Sequence, residues 1–393
     1  MPAVTVCGGG NAAHVLIPLI ASAGREVRVY APLAGEAERL RQGILQQGEM
    51  RVTYADGRIV AGRPQTISAD AAEVIPGSDL VLLALPAFAH GPTLEAIAPY
   101  LDAGATVGVL PARGGFDYQA TALLHRAGRT PRFFGLQTLP WACRITRYGE
   151  EVAVLGTKAV ADLASYPAAE AAEMAGLLSS LLNVPIQPVS SFLALTLANT
   201  GQIIHPGIMY GLCYGREEAV YAREDVPLFY QGVDDFTAGK LQAMSDDIQA
   251  LAAALAAALP DFNASEVLPL YDWVCRAYAG DIADDSNLAS AFTTNRAYAG
   301  LRVPTRLTTD GHYVVDFSAR YLAEDVPYGL VVVHGIARLA GVRTPALDSV
   351  ISWAEERLGR RFLPAGSSTG TRAPQCFDVW ELAQLAGSQP IQL

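Results

Sequence analysis

Lysine is nearly absent from this chain. Of 28 Lys and Arg side chains in 393 residues, only Lys158 and Lys240 are lysines, so a reaction that needs a lysine base has two places to find one. Basic character is short as a whole: 39 Asp and Glu leave a net charge of −11 and a pI near 5.0. A nucleic-acid partner, which requires a basic face, is excluded on that balance. Cysteine is sparse too. The five (Cys7, Cys143, Cys213, Cys275, Cys376) are scattered, and no pair has the spacing of a metal site or a redox motif. That argues for a reducing compartment and against a structural metal. Long hydrophobic runs are missing. Leu251 to Leu259 is alanine-rich and too short to span a bilayer, so it reads as a packed helix and no membrane partner is expected. The first residues enter a strand at once and leave no room for a signal peptide, which makes a cytoplasmic protein the expectation. What remains is 51% hydrophobic and 17% charged, a composition able to fill the cores of two domains.

Glycine, by contrast, is concentrated where it carries information. Val4-Thr5-Val6-Cys7 reads as a strand, Gly8-Gly9-Gly10-Asn11-Ala12-Ala13 as Gly-x-Gly-x-x-Ala, and Val15 to Ala23 as a helix closed by Gly24. In a dinucleotide site Gly8 permits the tight turn and Gly10 lets the backbone approach a pyrophosphate. Ala13 is small enough for the helix to pack on its strand, while the helix start at Asn11 and Ala12 faces the phosphate charge. The plainer alternative is a structural turn, and Pro18 inside the helical run is expected to kink it. The next strand, Glu26 to Tyr30, arrives on schedule. It ends in Tyr30-Ala31-Pro32-Leu33, without the acid that normally holds the adenosine ribose, and no arginine cluster replaces it to greet a 2′-phosphate. Glu36 and Glu38 tip the choice towards NAD over NADP.

The first half of the chain alternates strand and helix. Arg51 to Tyr54 and Arg58 to Val60 form an expected hairpin around Asp56-Gly57. Leu80 to Leu85 and Thr106 to Leu110 have no polar alternation, as strands buried on both faces do not. Arg132 to Leu136 and Val152 to Leu155 add two more. The fold class is therefore α/β, a Rossmann-like doubly wound sheet, with ligands beyond the carboxyl ends of its strands. Past Pro188 the apolar spacing turns helical: Phe192 to Ile204, Asp234 to Leu259, Val267 to Tyr278, Val326 to Ala340 and Leu347 to Leu358. The reading is a dinucleotide-binding domain over 1–190 and an all-helical second domain over 191–393, its last thirty or so residues the least patterned.

Hydride transfer to a carbonyl or imine needs a proton donor and a cation for the substrate carboxylate. Of six histidines, His125, His312 and His334 read as structural or surface residues, His14 as a neighbour of phosphate, and His90 equally as either. His205 directly precedes Pro206, which biases it out of α geometry and places it at a helix end. A buried core histidine is the safer reading of pattern alone. Arg320-Tyr321-Leu322-Ala323-Glu324-Asp325-Val326-Pro327 offers a guanidinium fork and an acid able to orient an imidazole. The same Glu-Asp-Val-Pro recurs at 224–227, however, so Asp325 reads equally well as a helix cap.

Several segments together resemble the octopine/nopaline dehydrogenases, and most closely the opine dehydrogenases of marine invertebrates. They are Cys-Gly-Gly-Gly-Asn-Ala-Ala-His (7–14), Leu-Pro-Ala-Phe-Ala-His (85–90), Thr-Leu-Pro-Trp-Ala-Cys-Arg-Ile (138–145) and Leu-Gly-Thr-Lys (155–158). To these are added Ile-His-Pro (204–206), Pro-Leu-Phe-Tyr-Gln-Gly (227–232), Thr-Thr-Asn (293–295) and Arg-Tyr-Leu-Ala-Glu-Asp-Val-Pro (320–327). The resemblance implies NADH-dependent reductive condensation of pyruvate with an amino acid through an imine. It implies that His205 and Asp325 are the catalytic pair, that Arg320 takes the 2-oxo acid carboxylate, and that Gln137, Cys143 and Trp273 line the amino-acid pocket. A monomer is implied as well. Two positions depart from the octopine-forming pattern: Gln137 stands where glutamate precedes Thr-Leu-Pro-Trp, and Arg113 where an amide follows a strand. A guanidinium substrate favours an anion and is repelled by a buried cation. A small neutral amino acid, taurine or β-alanine is therefore expected in place of arginine, provided that Arg113 faces the pocket. The rival readings are another Rossmann-plus-helical dehydrogenase working through a lysine, and a silent NAD-binding sensor.

Overall fold

A computed structural model describes residues 3–363, 371–379 and 381–385. The chain divides into two compact units, the change falling between Leu195 and Thr196.

Twelve strands belong to the first unit: β1 (Ala3–Cys7), β2 (Val27–Tyr30), β3 (Met50–Tyr54), β4 (Ile59–Gly62), β5 (Thr66–Ser68), β6 (Ser78–Leu83), β7 (Thr106–Val109), β8 (Phe133–Leu136), β9 (Trp141–Arg147), β10 (Glu151–Thr157), β11 (Ala161–Tyr166) and β12 (Ile186–Pro188). Eight form one sheet in the order β12-β11-β8-β7-β6-β1-β2-β5. From β5 to β8 all neighbours are parallel, in the strand order of a dinucleotide fold, while β11 runs antiparallel to β8. Alternate residues of one strand feed opposite cores: Leu80 and Leu82 pack to one side of the sheet, Val81 and Leu83 to the other. Burial on both faces is why β6 shows no polar alternation.

A second sheet, β4-β3-β10-β9, covers the helix Asn11–Ser22 from the side away from the main sheet. Gly62 in β4 sits so close that a Cβ there would stand 2.7 Å from the Ala21 methyl and 3.0 Å from the Pro18 carbonyl oxygen. The helix is thus buried continuously from Ala12 to Ile20, with Pro18 accommodated inside it. Val152 to Leu155, expected in the doubly wound sheet, lies here instead. Val152 and Val154 are buried while Leu155 is 65% exposed, so the strand alternates and pairs with β3 and β9. Its apolar run resembled a doubly buried strand because the exposed position also carries leucine.

The second unit is built on the helices Gly201–Cys213, Asp235–Ala258, Val331–Leu339 and Pro345–Leu358. Asp234 starts the longest, its side chain accepting from the Thr237 N–H at 2.8 Å. The unit also carries a small antiparallel sheet, β13 (Val220–Tyr221), β15 (Tyr313–Val315) and β14 (Thr305–Leu307), beyond the all-helical expectation. Two- and three-residue strands bury too little to leave a period in the sequence.

Candidate functional site

The glycine turn has the shape its sequence asks for. Gly8 has φ +113°, its N–H donates to the Tyr30 carbonyl at 2.8 Å, and a Cβ there would stand 2.8 Å from Leu85 Cδ2. Beside Gly10 nothing lies within 4 Å of the place a Cβ would take, which is the room a pyrophosphate needs at the start of the helix Asn11–Ser22. Asn11 anchors that start, its Oδ1 accepting from the Ile145 N–H at 2.8 Å, and Ala12 and Ala13 are buried against the sheet. The residues present fit a dinucleotide.

His14 is tied into the glycine turn itself. It is wholly buried, its Nδ1–H donating to the Gly10 carbonyl at 3.0 Å while Nε2 accepts from the Gly149 N–H at 2.8 Å. Burial pushes its pKa down to about 4, so the ring is a neutral pin between the cofactor turn and the β9–β10 turn. An acid stands beside the turn from the next helix, Glu36–Gln47. Glu36, 8% exposed, places Oε1 2.7 Å from where a Gly9 Cβ would stand, beside the Tyr148 hydroxyl at 2.6 Å from the same point. Burial raises the Glu36 carboxyl above its usual range, and the Tyr148 hydroxyl, donating to it at 3.4 Å, opposes that shift.

Other candidates of the first unit occupy different surroundings. Arg113, after β7, is 7% exposed. Gln137 follows β8 and is half-buried, its N–H donating to the Asp162 carbonyl at 2.9 Å. Cys143 in β9 is a protonated thiol, since burial raises its pKa to about 11. The Lys158 ammonium donates to Thr138 Oγ1 at 3.0 Å and to the Leu139 carbonyl at 2.9 Å. His90 is buried with Nε2 3.0 Å from the Leu85 carbonyl.

In the second unit His205 stands inside a helix, not at its end. The break expected there lies earlier, between the helices Phe192–Leu197 and Gly201–Cys213. Pro206 forfeits one bond, to the Gln202 carbonyl, and the buried Ile208, Met209, Tyr210 and Cys213 carry the helix past it. Gly207 and Gly211 admit the neighbouring helix: Leu241 Cδ2 approaches to 2.5 Å of a Gly207 Cβ position, and Thr237 fills the space beside Gly211. This close packing seats His205.

Asp325 comes from the segment after the short helix Arg320–Ala323, at the entry to a π-turn, Val326–Leu330. Its side chain makes no cap hydrogen bond to that turn. Wholly buried, it brings Oδ2 to 2.8 Å from His205 Nδ1 across 120 residues of sequence. A carboxylate accepts, so Nδ1 carries the proton and, in the neutral ring, Nε2 carries the lone pair. At Nε2 stands a group the spacing did not single out, the Tyr230 hydroxyl, at 3.1 Å. Tyr321 stacks on the imidazole at 4.3 Å between centroids, and Phe229 on Tyr321 at 4.6 Å. The only signal of these aromatics was their place within two of the quoted segments, 227–232 and 320–327.

Arg320 presents a 65% exposed side chain, its Nε 3.6 Å from Glu324 Oε2. Trp273, on the helix Leu270–Ala277, is half-buried and meets Tyr278 edge-on at 6.1 Å. Tyr278 leads through Tyr298, at 4.8 Å, to Tyr230, which Tyr298 stacks at 3.9 Å. Lys240 donates to Ser349 Oγ at 3.1 Å and lies over the Tyr210 ring. His334 pairs with Asp348 at 2.7 Å. Among the described residues no group of three or more His, Cys, Asp or Glu is placed to hold a metal, and no helix is long and apolar enough to cross a membrane.

Known proteins resemble this chain over almost its whole length. Residues 188–358 match the family described as NAD/NADP octopine/nopaline dehydrogenase, alpha-helical domain. The octopine dehydrogenase of Mizuhopecten yessoensis is 40% identical over 95% of this chain and 96% of its own. The tauropine dehydrogenase of Arabella iricolor is 31% identical over 96% of this chain and 98% of its own. A solved octopine dehydrogenase with NADH and L-arginine superposes with a TM-score of 0.89 at 35% identity, covering both chains fully. Another, with NADH and agmatine, gives 0.90 at 35% over the same extent. This chain belongs to the octopine/nopaline dehydrogenase family.

Proposed function

We propose that this NAD-dependent opine dehydrogenase condenses pyruvate with a small neutral amino acid, or with an amine bearing a distal anion such as taurine or β-alanine, in preference to arginine. The observation that carries the chemistry is the 2.8 Å contact between His205 Nδ1 and the buried Asp325 carboxylate. Asp325 holds the ring, fixes its tautomer and stabilises the imidazolium. His205 exchanges the proton at Nε2 with the reacting oxygen or nitrogen. Arg320, its guanidinium open to solvent, takes the carboxylate of pyruvate. NADH, when bound, supplies the hydride to the former keto carbon. Gly8, Gly10, Asn11, Ala12 and Ala13 hold its pyrophosphate, and Glu36 beside Gly9 holds its ribose hydroxyls and repels a 2′-phosphate. The residues 1–195 serve as the dinucleotide-binding domain and those from 196 on as the catalytic one. We place the enzyme in the cytoplasm as a monomer.

Two features support the choice of amine. Arg113 is a buried cation, and Gln137 is neutral. With Arg113 facing the amine, a second guanidinium would lose its hydration and gain no anion, whereas a sulfonate or carboxylate would meet a cation. NADH oxidation with pyruvate and, in turn, arginine, alanine, glycine, β-alanine and taurine tests the reading. Oxidation that requires both pyruvate and an amine, with arginine among the poorest, is expected. Arginine as the best amine overturns the assignment.

A further inference from the structure

The side chain facing the reacting nitrogen has no role in the chemistry described so far. Tyr230 is 8% exposed and lies in the loop before the helix Asp235–Ala258. That loop is anchored on both sides: the Phe229 N–H donates to the Leu301 carbonyl at 2.7 Å, and the Val303 N–H to the Pro227 carbonyl at 3.0 Å. Gly232 is required behind it, because a Cβ there would run into the Leu228 carbonyl oxygen. The Tyr230 ring is then held between neighbours, stacked on Tyr298 at 3.9 Å and edge-on to Phe229 at 4.8 Å. An aromatic fixed this firmly aims its hydroxyl at one place, His205 Nε2, 3.1 Å away.

Resting on the catalytic reading of His205, we propose that Tyr230 is a positioning residue for that histidine. Its hydroxyl donates to Nε2 of the neutral ring and turns to accept Nε2–H once the ring is charged. The first half follows from the tautomer: with Nδ1–H on Asp325, Nε2 is an acceptor and needs a donor. Tyr230 stays a donor because burial raises its phenol well above the usual range. The second half needs somewhere for the phenol's own proton to point. Tyr321, whose ring stacks on His205 and whose hydroxyl interacts with Tyr230, provides it. One hydroxyl thus meets the reacting nitrogen in both protonation states without moving the ring, sharing Nε2 with the reacting oxygen or nitrogen while the proton passes, as Asp325 holds the ring from the other edge. Losing a hydrogen bond to a charged group costs about 10- to 100-fold in rate when it acts in the transition state.

The test uses the full-length enzyme carrying 15N-labelled histidine, with the His205 resonances assigned by their loss in His205→Gln. In Tyr230→Phe, which keeps the stacked ring, the Nε2 resonance of the neutral histidine moves downfield towards that of a bare lone pair. The kcat falls about 10- to 100-fold, while KM for pyruvate and affinity for NADH stay within about threefold. Tyr298→Phe alters the same stack without touching the His205 hydrogen bond and leaves the Nε2 resonance in place. An unchanged Nε2 resonance in Tyr230→Phe, or one that moves equally in Tyr298→Phe, overturns the proposal. So does a loss carried by KM for pyruvate alone, which makes Tyr230 a substrate-binding group. The resonance is read without turnover, so a wild-type enzyme silent towards pyruvate and amines overturns the functional reading and still leaves this one decided.

Discussion

Asp325 is a carboxylate with no exposure to solvent, a placement that costs several kcal/mol unless a donor meets it. His205 meets it at 2.8 Å, and on the proposed function the same contact serves the chemistry. Replacing Asp325 with Asn presents an amide where an acceptor is needed and turns the imidazole to the wrong tautomer. A fall in kcat of about 10²- to 10⁴-fold is expected. NADH affinity, read by fluorescence, stays within about twofold in both Asp325→Asn and His205→Ala; retained turnover in either dismisses the pair. Glu36 has a test of its own. Glu36→Gln removes the negative charge beside Gly9, and NADPH affinity then rises at least about tenfold relative to NADH. An unchanged ratio of the two dissociation constants removes Glu36 from cofactor choice. His14 gives a pH prediction. Its pKa falls from 6.5 in the unfolded chain to about 4 in the folded one, so only the unfolded chain binds the proton in between. Stability is full above pH 6.5 and drops as pH falls towards 4, by up to about 3 kcal/mol. Denaturant midpoints measured across that window decline in the wild type and flatten in His14→Gln.

Among the elements, the glycine turn is the least forgiving. Gly8→Ala must place a side chain at φ +113° and against Leu85, so NADH binding is lost and the melting temperature falls; an alanine variant that binds NADH normally contradicts the geometry. This turn was fully legible in the sequence, as were β1, β2, β6 to β8 and the long helices, because each has a local pattern: a glycine spacing, a doubly buried strand, a 3.6-residue period. Elsewhere the local pattern fell short. β10 was legible as a strand but not as part of a covering sheet, because its partner β3 lies some hundred residues back; β9 was not singled out, and β13 to β15 are too short to have a period. The helix break was misplaced by a few residues because Pro206 is a strong breaker in isolation. The glycines that bind Gly201–Cys213 to the next helix outweigh it only once both are folded. At the site, His205 and Asp325 could be named but not joined, since nothing along 120 intervening residues records their contact. Tyr230 was hidden for the same reason: its only distinction is the atom its hydroxyl reaches.

At the scale of the molecule, a net charge of −11 works against the enzyme's own substrates, since pyruvate and NADH are anions. Long-range repulsion of this kind is screened over about 10 Å at 0.1 M salt, so the apparent KM for pyruvate should fall by up to about twofold between low and physiological ionic strength. A KM that climbs steadily with salt means that a local cluster such as Arg320 governs capture instead. The enclosure of the helix Asn11–Ser22 between two sheets has a different bearing. Walled in from Ala12 to Ile20 and pinned through His14, this helix has no freedom to tilt or slide when a nucleotide arrives at its tip. The nucleotide must therefore meet a receptor that is already finished. Its association should be a single fast phase at every concentration, with no slow rearrangement trailing behind, and whatever motion the catalytic cycle requires has to originate in some other part of the chain.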